Sequence, residues 1–87
     1  MTLEETFLRK KPVQILLVLF RSKDPLYISK VSKKANCTYS HTINIISLFQ
    51  EQELIEFERE GRRKFVLLTE RGFCIAEKLN SFVREIS

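Results

Sequence analysis

The amino-acid sequence predicts an α+β domain that is mostly helical, and three observations support this prediction. Residues 38–52 carry apolar side chains at helical spacing. Two short runs, residues 54–60 and residues 64–68, follow directly and suggest a β-hairpin whose tip, residues 61–63, combines one glycine with two arginines. From residue 69 onward the sequence becomes amphipathic again. The predicted order is therefore a helix, a basic-tipped hairpin and a long final helix.

Length and composition limit the class of protein. The 87 residues, of which 44% are hydrophobic and seven are phenylalanine, suffice for one domain over residues 1–87 with a modest core. Only two glycines and two prolines argue against disorder. The longest apolar run, Ile15–Phe20, is far shorter than the roughly 20 residues that cross a bilayer. The acidic start of the chain lacks the pattern of a signal peptide, so we expect a cytoplasmic protein without a membrane partner.

Basic residues are concentrated in one part of the chain. The net charge is +4, but residues 9–50 hold eight bases against one acid, whereas residues 51–87 hold seven bases against eight acids. Three of those seven bases are adjacent, at residues 62–64. Positive charge gathered in this way is typical of a surface that binds phosphates. A basic surface that merely faces water is the alternative that charge counts leave open.

The first elements are predicted from caps and spacing. Thr2 is a suitable cap for a short helix, with Glu4 and Glu5 in its opening turn. Pro12 suits the first position of a second helix, and the segment from there to Phe20 is apolar on nearly all sides. A helix of this kind is buried against more than one neighbour, and a second subunit is a candidate for one of them.

A helix-turn-helix is predicted over residues 29–52. Residues 26–28 form a short extended piece, after which Ser29 is expected to cap the next helix. Asn36 tolerates the left-handed backbone that ends a helix. Thr38 is then expected to cap the helix that follows.

The helix over residues 38–52 has two different sides. Its core-facing residues, at i, i+3, i+4 and i+7 spacing, are expected to be Thr42, Ile45, Ile46 and Phe49. Its exposed polar residues near the N-terminus are expected to be Tyr39, Ser40, His41 and Asn44.

The final helix, residues 69–87, carries an apolar stripe that is long for so small a domain. Part of this stripe is expected to pack on the chain's own core and part to pair with a second copy. A homodimer is therefore predicted, formed by the first long helix and the last helix. Its predicted interface residues are Leu16, Phe20, Ile75, Leu79, Phe82, Val83 and Ile86.

The order of these elements resembles that of the winged-helix transcription regulators of the MarR type and, in length, that of small archaeal one-domain regulators. Three local matches within residues 27–72 carry the resemblance: the apolar and polar pattern of residues 49–55, the charged tip at residues 61–64, and the Leu-Thr-x-x-Gly pattern of residues 68–72. The resemblance implies a winged helix-turn-helix with a two- to three-stranded antiparallel wing over residues 54–68 and a C-terminal dimerisation helix.

One position departs from this pattern. Glu53 stands where the resemblance implies the glycine that ends the recognition helix with a left-handed backbone. That conformation costs glutamate roughly 1 kcal/mol or more. A different end to this helix is therefore expected.

The resemblance and the charge pattern together predict a sequence-specific transcription regulator that binds double-stranded DNA, most simply a dimeric repressor. Such proteins read bases in the major groove with side chains near the start of the recognition helix. The expected base-reading residues are Tyr39, Ser40, His41 and Asn44. The residues expected to contact the DNA backbone, with wing residues 59–64 on the backbone or in the minor groove, are Lys30, Lys33, Lys34, Thr38, Arg62, Arg63 and Lys64. A protein-binding winged helix and a sequence-neutral, chromatin-type DNA binder are the alternatives.

No catalytic, metal or cofactor site is predicted. His41 is the only histidine, and the sequence supplies no carboxylate partner for it, although Cys37 lies four residues before it. There is no glycine-rich phosphate loop, and Cys37, His41 and Cys74 lack a fourth metal ligand. The two cysteines are expected to be buried free thiols. A redox-sensing pair or a disulfide bridge are the alternatives.

Overall fold

The computed structural model describes residue 4 and residues 8–87. These residues form helices α1 (Lys10–Arg21), α2 (Ile28–Lys34), α3 (Tyr39–Glu51) and α4 (Glu70–Ile86), and strands β1 (Leu26–Tyr27), β2 (Ile55–Glu60) and β3 (Arg63–Leu68). The predicted α+β class, mostly helical with a long C-terminal helix, is confirmed. The predicted cap at Thr2, together with Glu5, lies outside the described residues. No helix in the described part of the chain is long and apolar enough to cross a membrane.

The three strands form one antiparallel sheet in the order β1-β3-β2. β2 and β3 are the arms of the hairpin, paired from Ile55 opposite Leu68 to Glu60 opposite Arg63. β1 joins the other edge of β3. The wing predicted from the resemblance is therefore three-stranded.

The hairpin turn is shorter than the predicted tip of residues 61–63. Arg63 already pairs with Glu60, so only Gly61 and Arg62 remain between the strands. Gly61 has a φ of +63°, and Arg62 is not among the residues with positive φ. This combination is typical of a type II′ turn, whose twist matches that of the flanking strands.

α1 is the central helix of the core and contacts α2, α3, α4 and β3. The prediction that this helix is buried against more than one neighbour is confirmed, but these neighbours belong to the same chain. Leu16 is 0% exposed, so its predicted place at a dimer interface is wrong, because its side chain does not reach the surface. The other buried core residues are Ile15, Leu19, Leu26, Val31, Ala35, Ile45, Ile46, Phe49, Leu54, Ile55, Val66 and Ala76.

α2 begins directly after β1, without the cap predicted at Ser29. The helix starts at Ile28, and Tyr27 occupies the N-cap position with no side-chain hydrogen bond. Tyr27 is extended because it pairs with Phe65 of β3, so the chain turns from strand into helix at this point.

α2 ends at a left-handed residue, as predicted for Asn36, whose φ is 51°. The Asn36 N–H donates to the Lys33 carbonyl at 3.2 Å, and the Cys37 N–H donates to the Ser32 carbonyl at 2.9 Å. This pair of bonds is the Schellman arrangement, which satisfies the last carbonyls of a helix.

α3 ends in the same arrangement, although Glu53 occupies the left-handed position with a φ of 61°. The Glu53 N–H donates to the Gln50 carbonyl at 3.0 Å, and the Leu54 N–H donates to the Phe49 carbonyl at 2.9 Å. The expectation of a different helix end is therefore wrong. The burial of Leu54 and Phe49 on both sides of the turn stabilises a backbone that glycine would adopt more easily.

α4 is joined at its start to the connection between α3 and β2. The Thr69 hydroxyl accepts from the Gly72 N–H at 3.0 Å and donates to the Glu53 carbonyl at 2.7 Å. The Thr69 N–H donates to the Leu54 carbonyl at 3.0 Å. A Cβ at Gly72 would collide with the Leu54 carbonyl oxygen. The Leu-Thr-x-x-Gly pattern is thus explained by the close approach between the start of α4 and the end of α3.

Candidate nucleic-acid interface

The start of α3 is fixed by Thr38, which is the N-cap, as predicted. Its hydroxyl accepts a hydrogen bond from the His41 N–H at 3.2 Å. The Thr42 hydroxyl donates to the Thr38 carbonyl at 2.8 Å and lies fully buried. The first turn of α3 is therefore held against the core on one side while its other side remains free.

The exposed side of α3 carries every residue that was expected to read bases. The four exposed side chains are Tyr39, Ser40, His41 and Asn44. Ser47 is also exposed, three residues after Asn44, and belongs to the same polar side. Ser47 was missed because the sequence argument stopped after the first two turns of the helix. Its i, i+3 spacing from Asn44 would have identified it.

The turn between α2 and α3 is attached to α1 through Lys11. The Lys11 ammonium donates to the Asn36 carbonyl at 2.8 Å and to the Ala35 carbonyl at 3.4 Å. A cation at the C-terminal end of a helix is favourable, because the free carbonyls there carry partial negative charge. The three α2 lysines predicted to contact the DNA backbone are all exposed, namely Lys30, Lys33 and Lys34.

Two of the three basic residues at the end of the wing, Arg63 and Lys64, contact aromatic rings on opposite faces of the sheet. The Arg63 guanidinium lies over the Tyr27 ring, 5.2 Å from its centroid. The Lys64 ammonium lies over the Phe57 ring, 4.1 Å from its centroid. Neighbouring residues of a strand point to opposite faces, and each cation–π contact restricts a side chain that would otherwise move freely.

The start of α3 and the wing tip line one concavity, which we call the wing groove. Tyr39 lines it from α3, Ser29 lines it from α2, and Arg62, Arg63 and Lys64 line it from the wing. The polar start of the recognition helix and the cationic loop are therefore next to each other in space. The DNA-binding surface predicted from the sequence requires these two elements to lie side by side.

A second groove lies along α3 where it meets the start of α1, and we call it the α1 groove. Its volume is about 620 Å³. It is lined by Arg9, Lys10, Lys11, Pro12, His41, Asn44, Ile45, Ser47, Leu48 and Glu51. Arg9 and Lys10 were missing from the predicted site, because their distance from α3 in sequence gave no indication of this contact.

The wing also has an acidic side. Glu56, Glu58 and Glu60 are exposed at alternate positions of β2 and therefore share one face. Glu60 lies opposite Arg63 in the register of the hairpin. Positive charge on the wing thus lies at the tip, on the first residues of β3 and at Arg59, which points to the face of β2 opposite to the three glutamates.

α4 exposes part of its apolar stripe. Phe82 and Ile86 are 61% and 68% exposed, as their predicted place at a dimer interface requires. Phe73, which was not predicted, is 50% exposed and packs against Phe20 with 5.2 Å between ring centroids. The other predicted interface residues are half-buried, namely Phe20, Ile75, Leu79 and Val83.

Neither cysteine is fully buried. Cys37 is half-buried and Cys74 is exposed, and both are free thiols. The expectation of two buried thiols is therefore wrong, because Cys74 lies on the outer side of α4 rather than in the apolar stripe. Among the described residues, no three His, Cys, Asp or Glu side chains form a group that could hold a metal ion.

Known proteins resemble this chain in sequence and in fold. A curated protein of Archaeoglobus fulgidus, described as uncharacterized, is 31% identical over an alignment of 78 residues that covers 86% of this chain and 82% of that protein. The crystal structure of AF1382 from Archaeoglobus fulgidus is 30% identical, with a TM-score of 0.85 over 97% of each chain. No protein-family model matches the sequence.

Longer transcription regulators share the fold. MepR, a transcription regulator of the Staphylococcus aureus multidrug efflux pump MepA, is 23% identical, with a TM-score of 0.80 over 88% of this chain and 58% of MepR. The MarR family transcriptional regulator SPO1453 from Silicibacter pomeroyi is 23% identical, with a TM-score of 0.81 over 94% of this chain and 59% of its own. A MepR mutant bound to an oligodeoxyribonucleotide also has a TM-score of 0.81. This chain spans less than two thirds of the length of these regulators.

Proposed function

The chain belongs to the same family as the Archaeoglobus fulgidus protein and has the winged helix-turn-helix fold of the MarR-type regulators, and on this premise we propose that it is a sequence-specific transcription regulator that binds double-stranded DNA. The observation that carries the proposal is the wing groove, which is lined both by Tyr39 of α3 and by residues 62–64 of the wing. A duplex that touches one of these elements is within reach of the other.

α3 is the element that enters the major groove in this proposal. Its exposed residues near the N-terminus offer the donors and acceptors that base edges require. Asn44 can bond an adenine edge with both groups of its amide, and Ser40 and His41 can each supply a single donor or acceptor. Each good contact of this kind contributes about 1–3 kcal/mol of discrimination. Tyr39 lines the wing groove together with the wing residues, so its side chain lies on the side of α3 that is nearest to the wing tip.

The basic side chains around α3 bind the sugar-phosphate backbone. Lys30, Lys33 and Lys34 project from α2, and Thr38 lies at the start of α3. The wing residues 62–64 contact the backbone or enter the minor groove next to the major groove that α3 occupies. Phosphate contacts of this kind fix the position of the protein without specifying sequence.

Two copies of the chain pair through α4. Phe82 and Ile86 are the most exposed apolar residues of this helix, and a surface of this kind is stabilised when a second copy covers it. One domain of this size covers little DNA, so a dimer on two half-sites gives useful affinity. The dimer acts in the cytoplasm as a repressor that blocks a promoter. The proposal assigns no catalytic residue.

Selection of bound DNA from a random pool tests the proposal. The expected result is a short inverted repeat with half-sites about one helical turn apart. Recovery of no preferred sequence, with equal binding to every duplex, would replace this proposal with sequence-neutral binding. If Arg62→Ala with Arg63→Ala left retention on DNA unchanged, the basic tip would have to serve a protein partner instead.

Light scattering on the wild-type protein and on the double variant Phe82→Ser, Ile86→Ser tests the dimer. The wild type is expected to have the mass of two chains, and the double variant the mass of one. Glu85→Ser, a change on an exposed polar residue of the same turn, is the control and should leave the mass unchanged. A wild-type protein with the mass of one chain contradicts the dimer.

A further inference from the structure

Basic residues flank α3 on both sides and not only at the wing. The α1 groove brings Arg9 and Lys10 beside His41, Asn44 and Ser47 of α3. The wing groove brings the basic wing tip beside Tyr39 at the start of the same helix. The site expected from sequence contains the wing bases and the α2 lysines, but not Arg9 and Lys10.

The two grooves lie on different sides of α3. At 3.6 residues per turn, the side chains of Tyr39 and His41 point about 200° apart around the helix axis. Tyr39 lines the wing groove, and His41 lines the α1 groove. Asn44 and Ser47 lie between these directions, on the exposed side. A duplex that accepts this exposed side of α3 into its major groove therefore meets basic side chains on both sides of the helix.

The α1 groove suits a sugar-phosphate strand. Arg9 and Lys10 are exposed, and the first turn of α1 contains no acidic residue that would neutralise them. Pro12, Ile45 and Leu48 give the groove an apolar floor, which suits the face of a deoxyribose ring. The acidic residue of the lining, Glu51, belongs to the last turn of α3, so the phosphate is expected at the opposite end, beside the start of α1.

Lys11 has a different role from its two neighbours. Its ammonium group is already bonded to the carbonyls of Ala35 and Asn36, at 3.4 and 2.8 Å. It therefore holds the start of α1 against the helix-turn-helix, while Arg9 and Lys10 remain available. This contact fixes the position of the basic segment relative to α3.

We propose that Arg9 and Lys10 bind the DNA backbone along the α1 groove, so that α3 is held in the major groove from both sides, by the wing and by the start of α1. This inference rests on the proposed DNA binding. It adds a second set of phosphate contacts, on the strand opposite to the one that the wing contacts.

Equilibrium binding to the selected duplex and to a random duplex, over a range of salt concentrations, tests the inference. The double variant is Arg9→Gln with Lys10→Gln. Its matched control, Arg71→Gln with Lys78→Gln, removes the same charge from exposed positions of α4. Counterion release predicts that each lost phosphate contact reduces the log–log salt slope by about 0.9 and the affinity at 50 mM salt by about tenfold. Both duplexes should be affected equally, because phosphate contacts carry no sequence information.

Ethylation interference on the wild-type complex provides the second measurement and does not depend on any variant. Interfering phosphates are expected on both sides of the major-groove contact, and those on the side away from the wing should disappear with Arg9→Gln, Lys10→Gln. If the wild type binds DNA and this variant keeps the affinity and salt slope of the control, the inference is wrong while the proposed function stands. If the wild type binds no duplex, both are wrong.

Discussion

The Thr69 hydroxyl donates a hydrogen bond of 2.7 Å to the carbonyl of Glu53, 16 residues earlier in the chain. Through this bond the N-cap residue of α4 supports the left-handed turn that ends α3. The same hydroxyl caps α4 by accepting from the Gly72 N–H at 3.0 Å. The direction in which the wing leaves α3 and the direction in which α4 leaves the wing are therefore set at a single junction.

Thr69→Val is expected to destabilise the protein by about 1–2 kcal/mol. Valine has nearly the same shape but cannot cap α4 or bond the Glu53 carbonyl. Urea denaturation followed by circular dichroism measures the loss. Thr69→Ser keeps the hydroxyl and should remain close to the wild type. Equal losses for both variants would contradict a role for the hydroxyl.

Glu53→Gly is expected to stabilise the protein by up to about 1 kcal/mol. Glycine adopts a positive φ without the steric cost that glutamate meets, although it loses more backbone entropy on folding. Thermal unfolding measures the effect. Gln50→Gly is the control, because glycine at this helical position in the last turn of α3, where φ is not positive, should destabilise by roughly 0.5–1 kcal/mol. A fall in stability for both variants would show that the left-handed turn carries no strain.

Gly72→Ala is expected to destabilise the protein by about 1–3 kcal/mol, since the new methyl group forces α4 away from the Leu54 carbonyl. Gly61→Ala makes a useful comparison, because a Cβ there meets no atom within 4 Å and only its φ of +63° opposes the change. The melting temperature of each variant measures the effect. An unchanged melting temperature for Gly72→Ala would mean that the two helix ends are not in contact.

Lys11→Met is expected to destabilise the protein by about 1 kcal/mol, because it removes the hydrogen bonds to the carbonyls of Ala35 and Asn36 while keeping the aliphatic stem. Lys10→Met is the matched control and should change stability little, since this residue is exposed. Denaturant unfolding of both variants distinguishes them. Equal effects would contradict the separate roles given to these neighbouring lysines.

Asn44→Ala and Lys33→Ala are expected to weaken DNA binding in different ways. Loss of a base contact from Asn44 should cost about 1–3 kcal/mol on the selected sequence and relax the preference at one base position. Loss of a phosphate contact from Lys33 should weaken binding to all duplexes alike and reduce the salt slope by about 1. Competition between selected and mutated duplexes measures the first effect, and a salt titration measures the second. If the Asn44→Ala variant kept the base preference of the wild type, Asn44 would not be a base-reading residue.

Local features of the fold could be predicted from the sequence because their causes are local. The cap at Thr38, the left-handed residue at Asn36 and the exposed side of α3 each depend on residues within one or two turns. The left-handed Glu53 was not predicted, because it is held by Thr69, which the chain brings near only after the hairpin has formed. The dimer assignment of Leu16 failed for a related reason: an apolar stripe reveals that a helix is covered, but not which element covers it.

The candidate site was predicted only in part for the same physical reason. The exposed residues of α3 and the wing bases are visible as spacing and charge in short segments. The nearness of Arg9 and Lys10 to Asn44 depends on how α1 packs across α3, and no pattern within either segment encodes it.

The acidic face of β2 has a consequence for the proposed binding of DNA. Carboxylates at Glu56, Glu58 and Glu60 repel a polyanion that approaches the hairpin broadside, while the residues at its tip attract one that approaches end-on. If the chain binds DNA as proposed, this charge pattern should disfavour misaligned encounters and raise the fraction of encounters that lead to a bound complex. The direction of approach thus matters for this chain, because its net charge of only +4 is divided between surfaces of opposite sign.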